Sequence, residues 1–489
     1  MNTILKILDH HHLLCEHPRG YCRETPSKVV NDSRKVTSGS VFIAIPGSKF
    51  DGHNYVQTAT ANGAVLLIHS KDIEYSKIPE GTATLKVTDP YFAYSLLCEY
   101  FNHYPARRFN LHGITGTNGK TTTAFLLQKI LNLSEHPCGL ISTVKYAFGN
   151  YEREASRTTP EAGELQELFA EIAASGCTDA VMEFSSHGLA QHRAGATRLE
   201  TAIFTNLTRD HLDYHYDMEN YFSAKKKLFA DYDAVHKIVN LDDRYGQRLK
   251  NEMPETISFG TNPDADYHIS DITLKASGSS FSLNGFQIKT NLCGEHNIYN
   301  LTGALIAAIQ NGIPETQAAA AAQGVKVPGR LEHFNLNGCH FYVDYAHTPD
   351  ALERVLSLLR KLNGRRLITV FGCGGDRDRS KRPLMGKAVA LNSDITIVTS
   401  DNPRNEEPSA IISEIIAGIP ESAQSTIEPD RHSAIRYAAQ IAQPGDIILI
   451  AGKGHENYQE IQGIKHYFDD RQELLNLMQN GDKLPPPNS

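Results

Sequence analysis

Short apolar runs separated by amphipathic segments recur along most of the chain. In the first hundred residues, runs at 40–45 and 64–68 alternate with polar turns, which predicts short strands. Farther along, apolar runs of strand length alternate with segments of helical periodicity, a rhythm typical of βαβ units around a parallel sheet. In this middle part we predict strands at 180–184, 202–205 and 237–240, a more β-rich insert at 267–292 and an Ala-rich helical stretch at 298–323.

The last third of the chain repeats one arrangement three times. Predicted strands at 367–371, 395–399 and 447–451 each run directly into a loop that carries Gly or charged residues. Open α/β sheets bind ligands at the carboxyl ends of their strands. The three loops therefore predict a single binding edge.

The glycine-rich segment at 113–123 carries the clearest chemical signal. It follows a predicted strand at 109–112 and precedes a segment, 124–131, of helical periodicity. In such a strand, loop and helix, backbone N–H groups attract phosphate oxygens, Lys120 reaches the β and γ phosphates, and Thr121 can hold Mg²⁺. Residue 114 is Ile where the strict pattern has Gly, and the alternative is a surface glycine turn beside a lysine. The predicted ATP-contacting residues here are Gly116, Thr117, Asn118, Gly119, Lys120, Thr121 and Thr122.

Length and these patterns together predict the domain organisation. A chain of 489 residues exceeds one ordinary core, and the length favours roughly three domains. We predict an α/β protein with a small mixed N-terminal domain at 1–105, a central P-loop-type ATPase domain with a parallel sheet at 106–331, and a C-terminal Rossmann-like domain at 332–489.

Composition narrows the classes of partner. A net charge of -8 argues against a nucleic-acid or membrane-surface binder, and no apolar run approaches a membrane span. The N-terminus lacks the pattern of an export signal, and the eight cysteines form no C-x-x-C pair, which suits reduced thiols without structural zinc. We therefore expect a cytoplasmic monomer, with a frayed Pro-rich tail at 485–487.

Further motifs follow the phosphate loop in a fixed order: 183–189, 206–215, 294–300, 344–349 and the C-terminal loops. With this ordered series the chain resembles the Mur ligases, the ATP-dependent amide-forming enzymes of peptidoglycan precursor synthesis. The resemblance covers nearly the whole chain. Within the family it is most similar to the members that add meso-diaminopimelate to UDP-N-acetylmuramoyl-L-alanyl-D-glutamate.

The resemblance implies a two-step reaction. The γ-phosphoryl group of ATP moves to the side-chain carboxylate of D-glutamate, and an amine then attacks the acyl phosphate to give an amide, ADP and phosphate. Positioning and charge neutralisation carry most of such catalysis. The implied catalytic residues are Lys120, Lys225, Glu183 and His211, and the implied Mg²⁺ ligands are Thr121, Glu183, His211 and carbamylated Lys225.

Lys225 matches a lysine that the family carries as a carbamate formed with CO₂. Because CO₂ adds to a neutral amine, such a site must lower the pKa of the lysine by burial or by nearby cations. Without the resemblance, 225–227 is typical of a solvated helix face, Glu183 of an ordinary strand-end carboxylate and His211 of a structural histidine.

Two further sets of residues match substrate contacts of the family. The UDP-sugar and peptide contacts implied are Asn31, Ser33, Ser48, Lys49, Phe50, Thr158, Thr159, Ser185, Gln191 and Arg193. Arg157 stands where family members often have Asn, which leaves no expected contact from that side chain. Asn297, Arg330 and Asp344 match positions near adenine, phosphates and ribose, and the alternative for each is a cap or an interdomain ion pair.

The added amino acid is predicted from the loop at 401–404. Meso-diaminopimelate has a second carboxylate where lysine has none, and a guanidinium can hold it with two charge-assisted hydrogen bonds. Arg404 is the residue expected to do so, and Glu456 can pair with the distal ammonium. The alternative is a loop arginine facing solvent. The full predicted set is Arg377, Asp401, Asn402, Pro403, Arg404, Gly452 and Glu456.

Three other functions remain as alternatives. A lysine-adding ligase is disfavoured by Arg404. A ligase like folylpolyglutamate synthase shares the phosphate loop but accounts neither for the first domain nor for the loops of the last third. A binding module that closes on ATP without synthesis fits the ATPase residues but leaves three ligand loops without a role.

Overall fold

The protein is described from a computed structural model that covers residues 1–47, 50–275, 277–325 and 327–479. The chain forms two compact units. Unit 1 comprises Met1–His268 and Asn300–Ala321, and unit 2 comprises Ile269–Tyr299 and Ala322–Ser489. The three domain boundaries predicted above stay predictions.

Unit 1 begins with a small parallel sheet. Its strands are β1 (Lys28–Val30), β2 (Ser40–Ile43), β3 (Ala64–His69) and β4 (Ala83–Lys86), with helices α1 (Asn2–His10), α2 (Val56–Ala61) and α3 (Pro90–Phe101). The order is β1-β2-β3-β4, and all neighbours are parallel. Strands β2 and β3 are buried along their whole length, which is why they read as continuous apolar runs rather than alternating ones.

A larger sheet carries the phosphate loop of unit 1. Its strands are β5 (Asn110–Thr115), β6 (Cys138–Ile141), β7 (Lys145–Phe148), β8 (Tyr151–Glu154), β9 (Asp179–Glu183), β10 (Leu199–Phe204), β11 (Ala234–Asn240) and β12 (Ile257–Gly260). These eight strands have the order β12-β11-β10-β5-β9-β6-β7-β8, parallel from β12 to β6 and antiparallel at β7 and β8, and the sheet continues beyond β12 with the strand that begins at Tyr267. Its helices are α4 (Lys120–Leu133), α5 (Ala162–Ala174), α6 (Ser186–Ala190), α7 (Leu212–His215), α8 (Met218–Ala230) and α9 (Arg244–Glu252).

Three strands, paired antiparallel in sequence order, form the predicted β-rich insert, and two helices form the Ala-rich stretch. They are β13 (Tyr267–Lys275), β14 (Gly278–Leu283), β15 (Phe286–Thr290), α10 (Glu295–Gln310) and α11 (Glu315–Gln323). The helical stretch predicted at 298–323 consists of two helices separated by a short break. Gly312 has a φ of 92° after α10 and Pro314 precedes α11, and neither residue suits a helix interior.

Unit 2 contains a second parallel sheet. Its elements are β16 (Glu332–Leu336), β17 (Cys339–Asp344), α12 (Pro349–Arg360), β18 (Leu367–Phe371), α13 (Lys381–Asn392), β19 (Ile395–Val398), α14 (Pro408–Ile416), β20 (Ser425–Ile427), α15 (Arg431–Ile441), β21 (Ile447–Ala451), β22 (Tyr458–Ile461), β23 (Ile464–Tyr467) and α16 (Asp470–Gln479). The order is β16-β17-β21-β18-β19-β20, with only β16 antiparallel to its neighbour, and β22 and β23 form a separate hairpin. The carboxyl ends of β18, β19 and β21 therefore share one edge, as their sequences predict.

These sheets confirm the predicted α/β class. None of the helices within the described ranges is long and apolar enough to cross a membrane. The eight cysteines, all within those ranges, are thiols rather than disulfides. The predicted tail at 485–487 lies outside the described residues.

Candidate active site

The phosphate loop joins β5 to α4 as predicted. Gly116 and Gly119 have φ angles of 147° and 86°, in a region that side chains with a Cβ rarely adopt. Space demands glycine as well, because a Cβ on Gly119 would overlap Asn300 and one on Gly116 would overlap Thr205. The two glycines therefore let the loop turn directly into the N-terminus of the buried helix α4, and a helix N-terminus attracts phosphate oxygens.

Lys120 folds back over this loop. Its Nζ donates hydrogen bonds to the carbonyl oxygens of Gly116 at 2.9 Å and Thr117 at 3.0 Å. The ammonium is thus held against the loop at the N-terminus of α4.

Glu183 lies at the end of β9 next to Thr121. The Thr121 hydroxyl donates to Glu183 Oε2 at 3.0 Å, and the Thr143 backbone N–H donates to Oε1 at 2.9 Å. The carboxylate is fully buried, so Glu183 is not an ordinary strand-end acid facing solvent. Sequence reasoning missed Thr143, although its place just after β6 at the same sheet edge was a usable signal.

Lys225 is buried on α8 with 1% of its surface exposed, so it is not part of a solvated helix face. Its Nζ donates to the Gly116 carbonyl at 2.7 Å and lies 4.8 Å from the centre of the Tyr221 ring. Burial, and then the charge of Lys120, hold the pKa of Lys225 well below its ordinary value. A lowered pKa is what the expected carbamate requires, and the carbamate itself stays a prediction.

His211 precedes α7 with a φ of 52° and is exposed. Its ring packs edge-on against those of His187 and Tyr221, with centroids 5.3 and 6.1 Å away. The Tyr221 hydroxyl lies 3.2 Å from Thr117 Oγ1, which connects this aromatic group to the phosphate loop.

The predicted peptide contacts form one connected network in unit 1. The Thr159 hydroxyl donates to the Glu183 carbonyl and accepts from the Ser185 N–H, both at 2.9 Å. Arg193 donates to the Thr159 carbonyl at 2.6 Å and to Gln191 Oε1 at 2.8 Å. The Thr143 hydroxyl donates to Thr158 at 3.0 Å, so the network reaches the partners of Glu183.

The predicted UDP contacts lie in the first part of unit 1. Asn31 is exposed, Ser33 is buried at the start of a short 3₁₀ helix, and Phe50 is 72% exposed. Ser48 and Lys49, also predicted here, lie outside the described residues.

Three residues predicted to contact ATP lie in unit 2. Asn297 is buried in α10 and donates to the Cys293 carbonyl at 2.8 Å. The Asp344 carboxylate accepts from the Leu331 and Ala346 N–H groups at 2.8 Å, and burial raises the pKa of this carboxyl. The Arg330 guanidinium lies 4.8 Å from the centre of the Tyr345 ring.

Unit 2 encloses a cavity of about 420 Å³ at the predicted binding edge. Six of the seven residues predicted to hold the amino acid line it, and Pro403 is the exception. The lining residues outside that predicted set include Tyr345 and His347, from the motif at 344–349, and Lys381 and Arg382. The three strand-end loops therefore meet as their positions predicted.

Charges of both signs surround this cavity. Asn402 donates to Glu456 Oε2 at 2.8 Å, and the buried Lys453 ammonium donates to Asn402 Oδ1 at 2.9 Å. Lys453 also lies 3.5 Å from Asp401 and 3.4 Å from Glu456. Sequence reasoning missed Lys453, which lies between the predicted residues Gly452 and Glu456 in the sequence. Its side chain does not line the cavity but bonds to residues that do.

Arg404 borders the cavity and is only partly buried, with 18% of its side chain exposed. Its Nε donates to Glu460 Oε2 at 3.0 Å and its NH1 donates to the Gly375 carbonyl at 2.8 Å. A solvent-facing arginine is therefore ruled out. The guanidinium already has the Glu460 carboxylate as a counter-ion. If lysine were bound in place of diaminopimelate, the guanidinium would therefore keep an opposite charge nearby but would lack hydrogen-bond acceptors for its remaining N–H groups.

A phosphate loop on a parallel sheet, together with a charged cavity at the edge of a second sheet, defines a nucleotide-dependent enzyme that also binds a small charged substrate. Three family models match the chain: "Mur ligase family, catalytic domain" over residues 27–94, "Mur ligase middle domain" over 114–308 and "Mur ligase, glutamate ligase domain" over 329–454. The chain belongs to the Mur ligase family, whose members are ATP-dependent ligases. The family predicted from the motif order is confirmed.

Individual relatives are similar over almost the full length. The UDP-N-acetylmuramoyl-L-alanyl-D-glutamate–2,6-diaminopimelate ligase of Aquifex aeolicus is 42% identical over 91% of this chain and 92% of its own. The ligase of the same name from Thermosynechococcus vestitus is 42% identical over 96% of each chain. A solved structure of a ligase with that name has a TM-score of 0.70 and 34% identity, and the match covers 94% of this chain and 96% of that chain. Folylpolyglutamate synthase of Mycobacterium tuberculosis, at 17% identity, a TM-score of 0.57 and 73% of this chain, shares the fold alone.

Proposed function

We propose that this protein joins meso-diaminopimelate to UDP-N-acetylmuramoyl-L-alanyl-D-glutamate in an ATP-dependent reaction that passes through an acyl phosphate. The observation that carries the proposal is the cavity in unit 2, which has a guanidinium, Arg404, and a carboxylate, Glu456, among its lining groups. An amino acid with a distal carboxylate and a distal ammonium is complementary to both. The names of relatives that are 42% and 40% identical over 91% and 92% of this chain support the same reaction.

The first step needs the phosphates of ATP to be held and their charge neutralised. The N-terminus of α4 and the ammonium of Lys120 are proposed to supply this, because the loop before the helix and the lysine are both held in place by hydrogen bonds within the protein. Asn297, Arg330 and Asp344 are proposed to contact the rest of the nucleotide.

Mg²⁺ is the metal proposed for this site. Thr121 and Glu183 offer adjacent hard oxygen atoms, and Mg²⁺ takes few protein ligands because it keeps waters and substrate phosphates. No group of three or more His, Cys, Asp and Glu side chains suited to a metal occurs among the residues that the structure describes, which fits a site completed by substrate. When bound, the ion would neutralise charge on the transferred phosphoryl group.

Lys225 is proposed to carry the carbamate, with His211 as a further metal ligand. Burial and the nearby Lys120 favour the neutral amine that CO₂ requires. Carbon-13 NMR of the folded protein in ¹³C-labelled bicarbonate should show a carbamate signal, and Lys225→Arg should abolish it; a wild-type protein without this signal would contradict this part of the proposal.

The peptide substrate is proposed to bind the network around Thr159 and Arg193, and the UDP group to bind the loops at 31–34 and 47–50. Arg193 is 7% exposed and is aligned by Gln191 and by an ion pair with Glu161 at 2.9 Å. Such fixed donors suit a substrate carboxylate.

In the second step the amine must attack with its distal end correctly placed. Arg404 is proposed to hold the distal carboxylate and Glu456 the distal ammonium, with Arg377, Asp401, Asn402, Pro403 and Gly452 shaping the cavity. We further propose a role in cell-wall biogenesis, and hence in cell shape and division. The protein is proposed to be a monomer in the cytoplasm, where the eight thiols would stay reduced.

The test is ADP release in the presence of Mg²⁺ and UDP-N-acetylmuramoyl-L-Ala-D-Glu, comparing meso-diaminopimelate with L-lysine. Turnover that requires diaminopimelate is the expected result. Turnover with lysine would retain the ligase and reject the proposed role of Arg404. ADP release without any amine would instead favour a module that hydrolyses ATP without synthesis.

A further inference from the structure

The hairpin formed by β22 and β23 lies directly beside the loop that carries Arg404. The Arg404 N–H donates to the Glu460 carbonyl at 3.0 Å, and the Gln462 N–H donates to the Arg404 carbonyl at 2.7 Å. The Glu460 N–H donates in turn to Asn402 Oδ1 at 3.0 Å. The hairpin thus holds two lining residues of the cavity by main-chain hydrogen bonds.

The same hairpin also determines where the guanidinium of Arg404 points. Glu460 Oε2 accepts from Nε, and the Gly375 carbonyl accepts one N–H of NH1. An arginine has five N–H donors. The remaining donors, on both terminal nitrogens, form the end of the fork that can hold a carboxylate in a bidentate way.

Arg404 adopts a backbone conformation that requires support. Its φ of 52° lies in the left-handed region, which is unfavourable for a residue with a Cβ and persists only where the surroundings enforce it. The two main-chain hydrogen bonds to the hairpin hold the Arg404 backbone in this conformation. The Glu460 carboxylate holds the Arg404 side chain as well.

We propose that Glu460, which does not line the cavity, is a positioning residue for amino-acid specificity. It fixes the Arg404 guanidinium with its terminal nitrogens toward the distal carboxylate of the substrate. This inference rests on the proposed function and adds a residue to it. It makes specificity depend on the hairpin at 458–467 as well as on the loop at 401–404.

The opposite effect is physically possible and defines the test. A carboxylate on one edge of the guanidinium repels a second carboxylate on another edge, so loss of Glu460 could strengthen substrate binding. Orientation outweighs repulsion here because a long arginine side chain loses much rotamer freedom when it is fixed, whereas the Glu460 side chain is 27% exposed and its charge is screened.

Steady-state kinetics of the full chain with Glu460→Ala and Glu460→Gln separate these two effects. For Glu460→Ala we expect the KM for meso-diaminopimelate to rise about tenfold, from the rotamer freedom regained by arginine. The kcat and the KM values for ATP and the nucleotide-peptide should stay near those of the wild-type protein. Glu460→Gln keeps an acceptor for Nε and should stay close to wild type. Gln459→Ala is the matched control on the same strand, and it should change none of these values.

An unchanged or lower KM for diaminopimelate in Glu460→Ala would overturn the proposal, and so would tighter binding by Glu460→Gln. A parallel rise of all three KM values would also overturn it, since it would indicate general damage. If Glu460→Ala does not fold, Glu460→Asp, which withdraws the carboxylate by one methylene, is judged by the same criteria. Failure of the wild-type protein to release ADP with diaminopimelate would count against the proposed function itself, a result distinct from all of these.

Discussion

The phosphate loop of unit 1 and the amino-acid cavity of unit 2 are built in different ways. The loop uses backbone groups of a few consecutive residues, and two glycines with positive φ determine its shape. The cavity uses side chains from three loops that are distant in sequence, and residues outside it, Lys453 and Glu460, hold those side chains. The backbone site takes its shape from local geometry and is held by neutral hydrogen bonds with residues such as Thr205 and Asn206, whereas the side-chain site also needs a supporting set of counter-ions.

The largest expected effect tests the loop. Lys120→Ala removes the ammonium from the loop at the N-terminus of α4 and should lower kcat by about 10³-fold, as does loss of one preorganised charge-stabilising donor in other enzymes. ADP release measures it. Lys129→Ala, an exposed position on the same helix, is the control and should retain full activity. Comparable turnover by both variants would remove Lys120 from the mechanism.

The cavity should be less sensitive to loss of a single side chain. Arg404→Ala should lower kcat/KM for diaminopimelate by roughly 10²-fold. This corresponds to a loss of about 3 kcal/mol in transition-state stabilisation, within the range for truncating one partner of a hydrogen-bonded charge pair. Arg354→Ala, exposed on α12, is the control. An Arg404→Ala variant with unchanged affinity for diaminopimelate would end this account of specificity.

A buried carboxyl in unit 1 contrasts with the ion-paired acids of the cavity. Glu99 on α3 accepts hydrogen bonds from the Ala196 N–H at 2.8 Å and the Thr197 hydroxyl at 3.2 Å, which anchors the loop that carries Arg193. Burial raises the pKa of Glu99 to about 7. Because the pKa is raised in the fold, stability from this group is fully present below about pH 4.5 and is lost as the pH rises through 7.

Glu99→Gln keeps an acceptor and removes the titration. The variant should therefore be more stable than the wild-type protein above pH 7, by about 2 kcal/mol after allowance for relaxation, and the difference should shrink toward pH 5. Denaturant unfolding at several pH values measures this. Glu167→Gln, exposed on α5, should show no such pH-dependent difference, and a flat difference for Glu99→Gln would refute the assignment.

The smallest effect concerns the support of Glu183. Thr143→Val removes a hydroxyl 3.2 Å from Glu183 Oε2 but keeps the backbone N–H that binds Oε1. The single hydroxyl proton is shared between Glu183 and Thr158, so the loss is one hydrogen bond of about 1 kcal/mol, which predicts roughly fivefold slower turnover. If turnover of the variant matched that of the wild-type protein at every Mg²⁺ concentration, the backbone hydrogen bond alone would be enough to hold Glu183. The phosphate site and the amino-acid cavity would then differ even more in their dependence on supporting side chains.

The amino-acid sequence by itself determined the parts whose geometry is local. The strand, glycine loop and helix around Lys120 are consecutive, so their pattern predicts their structure. The strand ends at 371, 398 and 451 predict a shared edge because parallel strands place their carboxyl ends together. The order of the motifs was enough to identify the family.

Only the tertiary structure decided which side chains support these groups. Glu460 meets Arg404 across 56 positions, and Lys225 meets Gly116 across 109, so neither contact has a local signature. The burial of Lys225, which a run of three lysines does not suggest, follows from packing of α8 beside the phosphate loop. Charge and pKa at both sites depend on burial and on partners far away in the chain, and these exist only once the sheets have formed.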